Sequence, residues 1–149
     1  MLLRHLPKKH NIILPIIRRT CLGPSDDFFM RDYPDRMTPE QARAFRNDVL
    51  NIVGQIPCGR VTTYGHIATL AGWPSHSRMV GRTLRYTPGA EQLPCHRVVN
   101  AVGRTAPGWS RQRTLLEAEG ITFKANGRVD ISRHLWEPEE QAARGAMYK

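Results

Sequence analysis

Cys95 and His96 stand side by side near the middle of the chain, with Arg97 next and the β-branched pair Val98 and Val99 after it. Only a thiolate attacks well, and its fraction rises when a cation or a proton acceptor lies close. The run from Leu93 to Asn100 therefore offers a nucleophile, a base and a fixed positive charge. A buried strand with a small core cysteine explains the same residues. For the pair in isolation that plainer explanation is the better one, so the rest of the chain decides.

The elements that must position this pair are set in a basic chain. Its 149 residues suffice for one domain with a single core. Lys and Arg number 22 against 13 Asp and Glu, a formal net charge of +9. Charge alone leaves a polyanionic partner and a solvated surface about even, but the distribution is uneven. Eight arginines (Arg60, Arg78, Arg82, Arg85, Arg97, Arg104, Arg111, Arg113) and a single acid, Glu91, occupy the stretch from Arg60 to Arg113. Arginine makes planar, bidentate contacts to phosphates and guanine edges, so the clustering favours a nucleic-acid face. Cys21, Cys58 and Cys95 are odd in number and widely spaced, which gives neither a disulfide framework nor a zinc pattern. A reducing compartment, no structural metal and no cofactor are expected.

Met1 to Arg36 contains a short apolar run, Ile12 to Ile17, interrupted by Pro15 and closed by Arg18 and Arg19. It is too short for a membrane span and lacks a cleavage pattern, so neither an anchor nor a signal peptide is expected. Residues 1–36 read as a disordered or mis-started extension, 37–138 as the folded domain and 139–149 as a tail. Thr38, Pro39 and Gln41 have capping-box spacing, and Phe45, Val49, Ile52 and Val53 make an apolar face, predicting a helix from Pro39 to about Ile56. Val61 to Gly65 reads as an extended entry to a short helix, His66 to Leu70. After Ala71 to Pro74, a second helix capped by Ser75 or Ser77 runs to Arg85. Two short helices around a glycine-containing turn are a helix-turn-helix pattern. Arg78, Arg82 and Arg85 share one face of the second helix, with Val80, Leu84 and Met79 available to face inward. Further on, Ser110 is placed to cap a helix packed through Leu115, Leu116 and Ala118 and closed by Gly120. Ile121–Phe123 and Val129–Ile131 are short strand candidates around Asn126-Gly127. The fold class is mostly α with short strands, a winged helix-turn-helix-like DNA-binding domain.

Several linked motifs in this order resemble the DNA-binding domain of O6-alkylguanine-DNA alkyltransferases and of the related alkyltransferase-like proteins. Pro94 to Val98 carries that family's Pro-Cys-His-Arg-Val signature, and Thr63-Tyr64-Gly65, Arg78 with Val80-Gly81, and Leu115-Leu116 with Glu119-Gly120 stand where the family has them. The resemblance implies that Cys95 accepts an alkyl group, that His96 acts on it as base through a water and that Glu119 orients the histidine. It also implies that Arg78 enters the base stack in place of a flipped nucleotide and that Tyr64 crowds the 3′ phosphate of the target, while Arg82 and Arg85, on the same helix face as Arg78, are expected to contact DNA through their charge. Pro94, Arg97, Val98 and Trp109 fall around the implied substrate pocket, with Arg97 tying the turn to the core. The implied partner is double-stranded DNA carrying O6-alkylguanine, bound through the minor groove by a monomer in the cytoplasm or the nucleus.

Three departures bear on the chemistry. Thr87 occupies the place of the asparagine that organises the family's active-site turn. The loop Thr105 to Ser110 is shorter than the transferases' Tyr-Ser-Gly-Gly loop. Finally, Val129 to Ile131 with Trp136 to Pro138 resembles the C-terminal segment of alkyltransferase-like proteins, which usually carry tryptophan or alanine where this chain has Cys95. A single-turnover S-methyltransferase is the leading expectation. The alternative is a non-enzymatic lesion sensor that recruits nucleotide-excision repair proteins. A helix-turn-helix transcription regulator ranks third, and a cysteine hydrolase last for want of an oxyanion-hole signature.

Overall fold

The structure, a computed structural model, describes residues 37–138. The expectations for residues 1–36 and 139–149 lie outside the described residues.

Helix α1 (Pro39–Gly54) starts as its cap dictates: the Thr38 side chain accepts from the Gln41 amide at 3.1 Å and Gln41 Oε1 accepts from the Thr38 amide at 2.8 Å. It stops two residues short of the expected Ile56, because Pro57 disfavours helical backbone at the residue before it. Its inward face is Ala42, Phe45, Val49, Leu50, Ile52 and Val53, all buried.

Strand β1 (Thr62–Thr63) leads directly into α2 (Tyr64–Leu70). Tyr64 and Gly65, expected to be extended, belong to the first helical turn. The reason is Thr63, whose hydroxyl accepts from the His66 amide at 3.1 Å and makes it the N-cap. Gly72, at φ 86°, takes the left-handed conformation that closes α2 and admits the turn. Helix α3 (Ser77–Tyr86) follows, and the expected serine cap is not formed. His76 is the residue before the helix, Ser77 lies within it, and Ser75 Oγ engages His76 Nδ1 at 3.0 Å instead. The α2–α3 pair is the expected helix-turn-helix, packed on α1.

Two single 3₁₀ turns, Ala90–Gln92 and Cys95–Arg97, bring the chain to β2 (Val98–Val99). β2 pairs in parallel with β1, Thr62 opposite Val98 and Thr63 opposite Val99. Side chains alternate across a strand, and this divides the interior. Val98 joins the larger core of α1, α2 and α3, whereas Val99 joins a smaller one with Val61, Leu116, Ile121 and Val129. The Cys-His-Arg turn therefore enters a strand buried on both faces.

Helix α4 (Arg111–Ala118) is not capped by Ser110, whose backbone is already helical and whose side chain makes no cap bond. Its packing also differs from expectation: Leu116 and Gln112 are buried, Leu115 is half-buried and Ala118 is exposed. The expected strand pair is a tight loop held by one antiparallel bridge, Phe123 to Val129, with Gly127 at φ 80°. Ile131 does not extend it but opens a last turn, α5 (Ile131–His134), after which Leu135 bridges Val61 and Trp136 is buried. Gly103 sits tightly beneath this loop. It has φ 82°, and a Cβ there would lie 2.5 Å from the Val129 carbonyl oxygen. Among the described residues no helix is long and apolar enough to cross a membrane.

Candidate functional site

Pro94 precedes the 3₁₀ turn that carries Cys95, His96 and Arg97. The thiol is half-buried and packs against the larger core, and Cys95 Sγ donates to the Ala90 carbonyl at 3.1 Å. Burial, together with the charge of Glu91 on the preceding turn, pushes its pKa up to about 11. This corrects the expectation that neighbouring His96 and Arg97 would favour the thiolate. Both side chains turn instead to Glu119.

Glu119 lies just past the end of α4, where Gly120 at φ 83° stops the helix. Its Oε1 meets His96 Nε2 at 2.6 Å and Arg97 Nη2 at 2.7 Å. Its Oε2 accepts from Arg97 Nε at 2.9 Å and from the Gly59 amide at 3.1 Å. Burial alone would raise this carboxyl's pKa. The hydrogen bonds from Arg97, His96 and Gly59 and the Arg97 charge outweigh it and bring the value down to about 2. Arg97 Nη1 also donates to the Ile56 carbonyl at 2.6 Å, which ties the end of α1, the Cys-His-Arg turn and α4 into one knot. With Nε2 on the carboxylate, the other imidazole nitrogen of His96 is left for a proton from elsewhere. A thiol, an imidazole and a carboxylate thus lie in one neighbourhood, the group types that nucleophilic chemistry requires.

Tyr64, half-buried at the start of α2, packs its ring close to Gly81 of α3, where an added Cβ would lie 3.7 Å from ring Cε1. Burial, and after it the proximity of Cys95, raises its hydroxyl pKa, so the phenol belongs to the thiol's surroundings. On α3, Arg78 and Arg85 are exposed and Arg82 is half-buried, opposite the buried Met79 and Val80. Trp109 is 37% exposed on the loop before α4. Arg78, Arg85 and Trp109 thus stand at the surface, apart from the Glu119 cluster. Val98 is fully buried in the core, and Arg97 is committed to Glu119 and Ile56. Both hold the turn from behind, Val98 through the core and Arg97 through its hydrogen bonds.

At the departure from the family pattern, the main chain carries the turn. The Thr87 amide donates to the Thr83 carbonyl at 3.1 Å, and the Thr87 carbonyl accepts from the Ala90 amide at 3.1 Å, while the buried Thr87 hydroxyl makes no hydrogen bond. One residue of consequence went unremarked in the sequence. Gln112 is fully buried, donates from Nε2 to the carbonyls of His96 at 3.0 Å and Val98 at 2.9 Å, and accepts from the Ala106 amide at 2.6 Å. Its signal is spacing, since Gln112 and Leu116, four residues apart, share one face of α4, and Glu119 follows three residues on, just past the helix end. Among the described residues no group of three His, Cys, Asp or Glu could hold a metal ion.

A helix-turn-helix with arginines along its second helix, followed by a Cys-His-Arg turn locked to a distant glutamate, defines a narrow class of protein. The model of the family described as 6-O-methylguanine DNA methyltransferase, DNA binding domain, matches residues 44–121. The chain belongs to this family. It is 41% identical over 112 residues to a DNA base-flipping protein of Escherichia coli, covering 70% of this chain and 87% of that one. To a methylated-DNA–protein-cysteine methyltransferase of Methanosarcina acetivorans it is 36% identical over 94 residues, 61% of this chain and 60% of that one. A solved structure of Schizosaccharomyces pombe Atl1, in complex with damaged DNA containing O6-carboxymethylguanine, matches with a TM-score of 0.58 at 32% identity. That match covers 70% of this chain and all of the other.

Proposed function

We propose that this protein binds double-stranded DNA through the minor groove, turns an O6-alkylguanine out of the stack and transfers its alkyl group to Cys95. The observation that carries the chemical step is the 2.6 Å contact between His96 Nε2 and Glu119 beside the thiol. Arg78 at the exposed start of α3 fills the gap left by the turned-out base, where a planar cation stacks and bonds to the orphaned partner. Tyr64 crowds the 3′ phosphate, and Arg82 and Arg85 hold the backbone. His96 takes the thiol proton through a water, and the Glu119 charge stabilises the imidazolium. The sulfur then attacks the alkyl carbon, a C–S bond forms and the C–O6 bond breaks. Its electron pair stays on guanine, which recovers its keto form as N1 takes a proton. The thioether is stable, so each molecule reacts once.

A second reading rests on the resting state of the thiol. Held protonated and bonded to Ala90, Cys95 would be inert in a sensor that presents the lesion to excision-repair proteins, in keeping with the name of the E. coli relative. Mass spectrometry after mixing the protein with a duplex containing O6-methylguanine separates the two. Transfer adds one methyl group to Cys95. An unmodified Cys95 at saturating DNA excludes transfer and leaves the sensor.

A further inference from the structure

Gln112 uses its whole amide inside the protein. Nε2 has two protons and donates both, to His96 and Val98, while Oε1 accepts from Ala106. The first two carbonyls flank Arg97 in the active-site turn, and the third partner lies in the loop before α4 that carries Trp109. Gln112 also sits one helical turn before Leu116, and Glu119 follows three residues later just past the helix end, so the side chain that holds the turn and the one that meets His96 ride on one short element. A buried amide with every group satisfied fixes its partners relative to one another, because moving one leaves a donor or acceptor unpaired away from water. Leucine or alanine would fill this position without that constraint.

We infer that Gln112 is a positioning residue for lesion recognition, coupling the loop Arg104–Ser110 to the Cys95–His96–Arg97 turn so that the two form one wall around a turned-out base. This rests on the proposed base-flipping function. Gln112 touches no reacting atom and acts through the main chain of His96 and Val98. Helix α3 shares none of its hydrogen bonds, so contact with undamaged DNA is independent of it.

Gln112→Glu preserves size and the acceptor for Ala106 but turns an oxygen toward two carbonyls. The full-length variant is titrated with a duplex bearing one O6-methylguanine and with the same duplex unmodified, and base turning is read by 2-aminopurine fluorescence next to the lesion. The expected result is an affinity for the modified duplex about tenfold lower, with that for the plain duplex within about twofold, and a diminished fluorescence change. Equal loss on both duplexes, or none on either, overturns the inference and leaves Gln112 a structural residue. If the variant does not fold, the side-chain amide protons of Gln112 in the native protein supply the readout. They should exchange slowly and shift on adding modified but not plain duplex, and identical shifts overturn the inference. A native protein without preference for the modified duplex overturns the base-flipping function itself, a distinguishable failure.

Discussion

Arg78 on α3 and Arg97 beside the thiol belong to the same basic stretch, yet the fold uses them in opposite ways. Arg78 is exposed on a helix whose other face is core, so its charge is available to a partner. Arg97 donates every hydrogen bond described for it to Glu119 or to the Ile56 carbonyl, so its charge is internal. A basic sequence therefore holds two populations of arginine, one exposed to solvent and one committed to the architecture. Loss of the first should change affinity and spare stability. Loss of the second, or of its counter-ion, should do the reverse.

The largest effect is expected at Glu119. A side chain 13% exposed that neutralises Arg97 and meets His96 cannot be replaced without leaving a cation short of its partner. Glu119→Gln should destabilise the fold by about 2–3 kcal/mol, measured by urea denaturation at neutral pH. The sign of the pH dependence follows. The folded carboxyl titrates at about 2 against an ordinary value of 4.5. Between these values the unfolded chain binds more protons, so stability falls as pH falls. The contribution of Glu119 is whole above about 4.5 and lost by about 2, and Glu119→Gln should flatten that acid limb. An unchanged acid limb in the variant would break the contrast between the two kinds of arginine.

Gly103 tests the smaller core alone. A Cβ there meets the Val129 carbonyl oxygen at 2.5 Å, on backbone at φ 82° that side chains rarely adopt. Gly103→Ala should cost roughly 1–3 kcal/mol of stability, read as a lower urea midpoint, with DNA affinity measured below the transition unchanged. A parallel loss of affinity would join the loop bridged by Phe123 and Val129 to the DNA contact.

Arg78→Ala should act in the opposite sense. Affinity for an O6-methylguanine duplex should fall about tenfold, while the urea midpoint stays within about 0.5 kcal/mol of the native value. A midpoint shift as large as that of Glu119→Gln would show that Arg78 is architectural after all.

These contrasts were unequally visible in the sequence. The capping box of α1, its buried face, the helix-turn-helix and the Gly120 stop all arise from local patterns, and local patterns decide them. Glu119 as the partner of His96 is legible only through family resemblance, since 23 residues separate the two. Ser75 does not cap α3 because it bonds the His76 ring instead, a choice made by side-chain geometry. The strands expected at Ile121–Phe123 and Val129–Ile131 reduce to one bridge, which suffices once Val129 and Ile121 are buried. Gln112 escaped notice between Arg111 and Arg113, where a polar residue ordinarily faces water; its burial follows from the loop folding back over α4. The thiol was misjudged for a related reason. Adjacency in sequence placed a histidine and an arginine beside Cys95, but in space both serve Glu119.

Glu91 sharpens that last point with the smallest effect. It is the single acid between Arg60 and Arg113, and it is exposed on the turn whose Ala90 carbonyl accepts the hydrogen bond of the thiol. Its charge adds to burial in raising the Cys95 pKa to about 11. At pH 8 the thiolate fraction is then about one in a thousand, and it should climb about tenfold per pH unit until the pKa is reached. Iodoacetamide labelling of Cys95, followed by peptide mass spectrometry across pH 7 to 10, measures this climb. Glu91→Gln should raise the labelling rate at each pH by no more than a few-fold, because burial is the larger cause and the change leaves it in place. A labelling rate already flat below pH 9 would mean that Cys95 is ionised at rest. In that case His96 and Arg97 would act on the sulfur as well as on Glu119, and the division between external and internal charge would fail at the one residue where it matters for chemistry.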